Sequence, residues 1–293
     1  MPASGFLIID KPEGITSRRV TDRVRKILDE KKAGHLGTLD PMATGVLPVA
    51  VGKGTRLIPY LEGQEKTYLG TVTLGRTTDT QDRTGNVIDE SPVPDLDISD
   101  IEEALECFRG EIEQVPPMHS AIKKDGRPLY ELARKGVEVT REPRVVTVFE
   151  IELKDLRLPD IVIRVRCSPG TYIRTIANDL GSALGCGAHL SSLRRLGSGH
   201  FTLDMAVPLD GLERDAAERH IISMMDSLPD LGLLEVSGEQ ATRLKNGLQI
   251  QPETACSGEG ELLRISCGEE LVAIGKCQDE EGEVSIKPLK VFI

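Results

Sequence analysis

The sequence predicts an α+β protein in two unequal parts, a large mixed domain over residues 1–228 and a small, β-rich module over 229–293. Three observations carry this. Residues 66–74 and 161–167 alternate apolar and polar side chains at the period of a strand. Other stretches space their apolar residues three and four apart, the period of a helix. Around 226–234, DSLPDLGLL breaks both patterns, and the segment beyond it is near the low end of domain size.

Taken in order, FLIID (6–10) is a short buried strand. KPEGITS turns the chain, and Thr16 or Ser17 caps a helix whose stripe is Val20, Val24, Ile27 and Leu28, with Gly34 as its stop. VLPVAV (46–51) is a buried strand or core segment. KTYLGTVTL (66–74) turns Tyr68, Val72 and Leu74 to one face. S-D-I-E at 99–102 makes a capping box for a helix that ends near Gly110. Residues 116–144 are polar, basic and broken by Pro and Gly, with a short helix around 128–135; an excursion of this length is more often functional than accidental. Strands come next at 145–153 and 161–167, the second with Ile161, Ile163, Val165 and Cys167 on one face and Arg164 and Arg166 on the other. SPG (168–170) turns into a helix marked by Ile173, Ile176, Leu180 and Leu184. In the small module, Ser237 and Gln240 form a second capping box before the strands ELLRIS, LVAIGKC and VSIKPLKVFI.

Apolar residues make up 39% of the chain and aromatics 3%, with no Trp, so the core must be aliphatic. No basic and apolar leader is present, and no window approaches the roughly 18 apolar residues of a membrane span. The six cysteines (107, 167, 186, 256, 267 and 277) form no CxxC pair, which fits reduced thiols and a cytoplasmic location. The net charge of −11 argues against a nucleic-acid partner until its distribution is considered. Residues 1–60 carry 10 Lys+Arg against 6 Asp+Glu, and 120–200 carry 14 against 9. The acidic excess lies in 61–119, with 4 against 14, and in 201–293, with 8 against 18. Local basic blocks suffice for an electrostatic footprint, although solvated mixed surfaces explain the charge equally well.

Several familiar sites fail on spacing. GVLPVAVGKGT places six residues between Gly45 and Gly52, where a phosphate-binding loop needs four. GSALGCG ends a helix instead of following a strand, so it is not a dinucleotide motif. The five histidines are scattered, without metal-ligand spacing. What remains is Asp40, between glycines and Pro41, with Tyr68, Tyr172 and Arg174 as possible partners. Each has an ordinary alternative: Asp40 a turn residue, Tyr68 a core aromatic, Arg174 an ion-pair residue, His35 a loop hydrogen-bonder and Lys11 a solvated lysine.

The segments DKPEGITS, GHLGTLDPMATGVLPVAVGKGTR, KTYLGTVTLGRTTDTQD, PPMHSAIKKDGRPLYELARKG, CSPGTYIRTIANDLG and HLSSLRRLGSG, in this order, resemble the bacterial TruB-type tRNA pseudouridine synthases. The resemblance covers nearly all of residues 5–210, and the terminal segment is similar to the small RNA-binding PUA module. It implies a catalytic domain with an antiparallel-rich mixed sheet, an RNA-gripping insertion at 116–144 and a PUA-like module at 229–293. It also implies an isomerase that converts one uridine in the T arm of tRNA, at position 55, to pseudouridine. No metal or cofactor is implied, nor a membrane or an obligate protein partner, and a monomer is expected. By the same match Asp40 is the essential aspartate, as nucleophile or base, and Arg174 pairs with it. Tyr68 packs on the flipped base and assists removal of the C5 proton. Tyr172 and Leu193 line the pocket, Asp82 contacts the base edge, His35 inserts into the T loop and Lys11 supports the site. Two alternatives stand beside this reading: the catalytic subunit of a guide-RNA-dependent pseudouridylation particle, and a non-catalytic tRNA chaperone.

Overall fold

The computed structural model describes residues 4–293 apart from 121, 125, 130–135, 138, 253–257 and 281–282. The short helix expected around 128–135 therefore lies largely outside the described residues, as does part of the 116–144 insertion.

One eleven-stranded sheet organises the larger part of the chain. Its long strands are β1 (Gly5–Lys11), β3 (Thr44–Val51), β4 (Lys66–Leu74), β5 (Gly110–Gln114), β6 (Arg144–Arg157), β7 (Asp160–Cys167) and β8 (Ala188–Ser198). With β9 (Val207–Pro208) they run in the spatial order β9-β1-β3-β8-β4-β7-β6-β5. Three short strands complete the sheet: β2 (Ala33–His35) on β3, Phe201–Thr202 on β8, and Ile222–Ser223 on β1. Most pairings are antiparallel; β1–β9 and β3–β8 are parallel, so the sheet is mixed and antiparallel-rich as expected.

The alternating strands bury the faces their sequences predict. In β7, Ile161, Ile163, Val165 and Cys167 have no exposed surface, and Tyr68, Val72 and Leu74 of β4 join the same core. Helices α1 (Ser17–Ile27), α2 (Ile98–Glu106) and α3 (Ile173–Ala183) lay apolar stripes on this layer. Thr16 caps α1 by accepting a hydrogen bond from the Arg19 amide at 3.2 Å.

Two helix boundaries differ from expectation. Helix α1 stops at Ile27 and the chain reverses at Asp29 (φ 52°), leaving Gly34 inside β2. The capping box of α2 is Asp97 with Asp100, so the helix begins earlier than S-D-I-E suggests and ends at Glu106, short of Gly110. The register that buries Ile101 and Leu105 selects this cap.

Gly45 is required where β3 meets β8. Its φ is +99°, and a Cβ there would lie 2.2 Å from the Arg195 carbonyl oxygen. This close approach seats the start of β3 beside Arg194 and Arg195.

Beyond the main sheet, β10 (Gly232–Glu235), β11 (Leu262–Cys267), β12 (Glu270–Glu280) and β13 (Glu283–Val291) form a second sheet in that spatial order. Helix α4 (Gly238–Lys245), capped by the Ser237–Gln240 box, packs on it. The small sheet has an apolar core of its own. A further apolar cluster joins it to the first strand, with Phe6 and Ile8 of β1 packed with Leu271, Ile274 and Phe292. Lys53 Nζ donates to the Phe292 carbonyl at 2.5 Å, and the Arg56 guanidinium sits 4.9 Å from the Phe292 ring centre.

Candidate active site

Asp40 occupies a turn between β2 and β3 that is held from several sides. The Ser17 hydroxyl accepts from the Leu39 amide at 2.8 Å and donates to the Leu39 carbonyl at 3.0 Å. The Gly14 amide donates to the Pro41 carbonyl at 2.7 Å. Lys11, at the end of β1, has no exposed surface. Its ammonium donates to the carbonyls of Pro12, Pro41 and Ala43 at 3.0, 3.2 and 2.5 Å. The DKPEGITS segment thus works as a bracket for the acid's loop, and Lys11 supports that loop from beneath without lining the cleft.

Burial lowers the Lys11 pKa to about 8 against the pull of Asp40 and Glu13. Between about 8 and the ordinary 10.5 the unfolded chain binds the extra proton, so the Lys11 contribution to stability rises with pH across that window. We expect Lys11→Met to flatten this rise in urea unfolding at pH 7 and pH 10. At neutral pH the variant should also lose about 2 kcal/mol, because the carbonyls of Pro12, Pro41 and Ala43 are left without their charged donor.

Arg174, the second residue of α3, is almost completely buried and serves as the hub of the site. Its Nε and Nη2 form a fork on Asp40, at 2.9 Å to Oδ2 and 3.3 Å to Oδ1. Nη2 also donates to the His119 carbonyl at 2.9 Å, and Nη1 donates to the Thr80 carbonyl at 3.1 Å. Asp82 Oδ2 lies 3.6 Å from Nη1. Asp82 is itself locked, its Oδ1 accepting from the Thr80 hydroxyl and from the Thr84 amide and hydroxyl at 2.8, 2.9 and 2.6 Å. Enclosure pushes the Asp40 carboxyl above the usual carboxylate range; Arg174 opposes the shift and Asp82 reinforces it.

Tyr68 and Lys66 share one face of β4, and the register sets Tyr68 opposite Arg195 of β8. Burial raises the Tyr68 phenol above its ordinary value, and the neighbouring Arg195 guanidinium pulls the other way. Leu193 of β8 and Tyr172 at the entry to α3 close the walls. Gln114 holds the Tyr172 backbone at both ends, accepting from its amide at 3.0 Å and donating to its carbonyl at 3.2 Å.

The result is a cleft of about 810 Å³ that gathers Asp40, Tyr68, Asp82, Tyr172, Arg174 and Leu193. His35 is not among its lining residues. It sits half-buried on β2, on the strand that leads into the Asp40 turn, and its Nδ1 is buried without a hydrogen-bond partner among the described residues. The structure adds Lys66, Arg195 and the threonines at 80 and 84, which the sequence did not single out. Alternation along β8 could have separated Arg194, which pairs outward with Asp10 at 2.8 Å, from Arg195, which turns inward. Among the described residues, no group of three or more His, Cys, Asp or Glu side chains is placed to hold a metal ion. A carboxylate held by a guanidinium fork beside an aromatic ring can act as nucleophile or base on a flat, enclosed substrate.

Comparison with known proteins agrees with this chemistry. The family described as "TruB family pseudouridylate synthase (N terminal domain)" matches residues 25–173. That described as "tRNA pseudouridylate synthase B C-terminal domain" matches 174–228. The chain is 47% identical to tRNA pseudouridine synthase B of Chromohalobacter salexigens, across 98% of this chain and 94% of that protein. It is likewise 47% identical to tRNA pseudouridine synthase B of Geobacter sulfurreducens, across 87% of this chain and 86% of that protein. Among solved structures it is similar to a chain of a Cbf5-Nop10-Gar1 complex, with a TM-score of 0.75 and 30% identity over 99% of this chain and 85% of that one. It is also similar to a chain of an H/ACA RNP bound to a substrate RNA containing 2'-deoxyuridine, with a TM-score of 0.74 and 28% identity over 99% and 85%.

Proposed function

This chain belongs to the TruB family of pseudouridylate synthases, and from that premise we propose how its cleft isomerises a uridine of tRNA to pseudouridine. The observation that carries the reading is the Asp40–Arg174 fork at the floor of an enclosed cleft, beside Tyr68. The target is one uridine in the T arm, at position 55. It must leave the base stack to reach the cleft, which costs a few kcal/mol. His35 fills the gap left behind, its imidazole carried on the strand beside the Asp40 turn.

Once the base is inside, Asp40 attacks the nucleotide as nucleophile or removes a proton as base, and either role needs the ionised form. Arg174 holds that charge in place. The glycosidic bond from nitrogen breaks, the base turns, and a carbon bond to C5 forms. Tyr68 packs on the ring and assists departure of the C5 proton, while Asp82, Tyr172 and Leu193 hold the base edge and faces. Residues 1–228 act as the catalytic domain, with 116–144 gripping the RNA, and 229–293 as a PUA-like RNA-binding domain. The protein works as a monomer in the cytoplasm and needs no guide RNA. Identity of 47% to proteins named tRNA pseudouridine synthase B, against 28–30% to chains of a Cbf5-Nop10-Gar1 complex and an H/ACA RNP, favours this over the particle-subunit reading.

The test is tritium release from unmodified tRNA labelled at uridine C5. Release by the protein alone, mapped to the T arm, is the expected result. A protein that binds this tRNA and releases no tritium would overturn the reading, and release only with an added guide would transfer it to the particle type. Binding should weaken steeply with salt, because several phosphates are contacted.

A further inference from the structure

Two cations of the cleft take no part in the chemistry above. Lys66 is 6% exposed and Arg195 1% exposed. Neither makes an ion pair within 4 Å among the described residues, although Glu62 lines the same cleft. Arg195 spends Nε on the Val46 carbonyl at 2.7 Å and one Nη2 hydrogen on the Gly37 carbonyl at 3.1 Å. Lys66 spends one hydrogen on the Gln64 carbonyl at 2.6 Å. Both therefore keep donors in hand.

Both side chains line the cleft beside Gly37. Gly37 has φ +83° and no side chain, and a Cβ there would lie 3.3 Å from Arg195 Nη1 and 3.7 Å from Lys66 Cε. Two residues earlier in the chain, His35 Nδ1 is buried without a hydrogen-bond partner among the described residues. Burial, and then Arg195, lower the Lys66 pKa to about 8. Two neighbouring cations withdrawn from water, with Glu62 acting on Lys66 only from beyond ion-pair distance, are costly to keep, and an anion that enters between them removes the cost.

We propose that Lys66 and Arg195 form an anion subsite at the Gly37 end of the cleft, which takes one backbone phosphate of the target RNA beside the flipped uridine. The inference rests on the RNA reading above and adds to it a named ligand group and its two donors. Seating the phosphate there orients the nucleotide so that its base reaches Asp40 and Tyr68.

The test uses the full-length protein and a synthetic T stem-loop RNA. Lys66→Met should melt several degrees higher than wild type, because a buried charge with no ion-pair partner within 4 Å among the described residues has been removed, and should bind the RNA about tenfold more weakly. The slope of log affinity against log salt should fall by about 1. Neutral methylphosphonates placed one at a time around the target uridine should identify one position that weakens wild-type binding and adds nothing to the Lys66→Met loss. Lys66→Gln provides the same comparison if the Met variant does not fold. A lower melting temperature, an unchanged salt slope, or methylphosphonate losses that simply add to the mutational loss would each overturn the subsite. Failure of the wild type to bind the stem-loop would instead remove the RNA reading, and the subsite with it.

Discussion

Asp40→Asn is expected to lower the single-turnover rate of tritium release on the order of 10⁴-fold or more while leaving tRNA binding in place. The amide keeps the shape of the side chain and removes the charge and the basic, nucleophilic oxygen that either proposed role requires. Stability should move in the opposite direction. Because enclosure raises the Asp40 pKa above 3.8, the folded protein binds a proton more readily than the unfolded chain across the interval between the two values. The Asp40 contribution to stability therefore falls as pH rises through that interval, and at neutral pH the ionised acid is unfavourable. Asn abolishes this dependence, so its melting temperature at pH 7 should equal or exceed that of wild type. A variant inactive only because it is unfolded would melt lower.

Arg174→Met is expected to slow the reaction about 10³-fold, in the range for removing one preorganised donor. Here the acid limb of the pH–rate profile should also move to higher pH. Without the guanidinium, only Lys11 is left to oppose burial and Asp82, which both raise the Asp40 pKa. The carbonyls of Thr80 and His119 lose their donor in the same substitution, so stability should fall by about 3 kcal/mol. Arg174→Lys restores charge without the fork and should recover part of the acid-limb shift but little of the rate. An unmoved acid limb in Arg174→Met would mean that the fork does not tune Asp40.

Much of this architecture is legible along the chain because it depends on short periods. The alternation in 161–167 sorts Ile161 and Ile163 from Arg164 and Arg166, and the structure keeps to it residue by residue. Helix ends are less legible, since Asp97-x-x-Asp100 and S-D-I-E overlap and only packing of Ile101 and Leu105 chooses between them. At the site, Asp40 and Arg174 are 134 residues apart, and no local pattern joins them; the family resemblance did. Arg195 was missed for a physical reason. A charged residue in a strand is ordinarily solvated, and this one is buried because the parallel β3–β8 pairing brings the Val46 carbonyl to it, while the segment between β2 and β3 supplies the Gly37 carbonyl.

The same contrast applies to the small β module. Its length suggests an independent unit, yet Leu271, Ile274 and Phe292 pack with Phe6 and Ile8 of the first strand. A module welded in this way cannot swing on a linker, so its outer surface lies at a constant offset from the Asp40 cleft. Two contact points held at a constant offset act as a ruler. Under the RNA-binding role proposed for this module, an RNA would engage both without distortion only when its own two points are the same distance apart, which would make overall length a criterion of selection alongside local sequence.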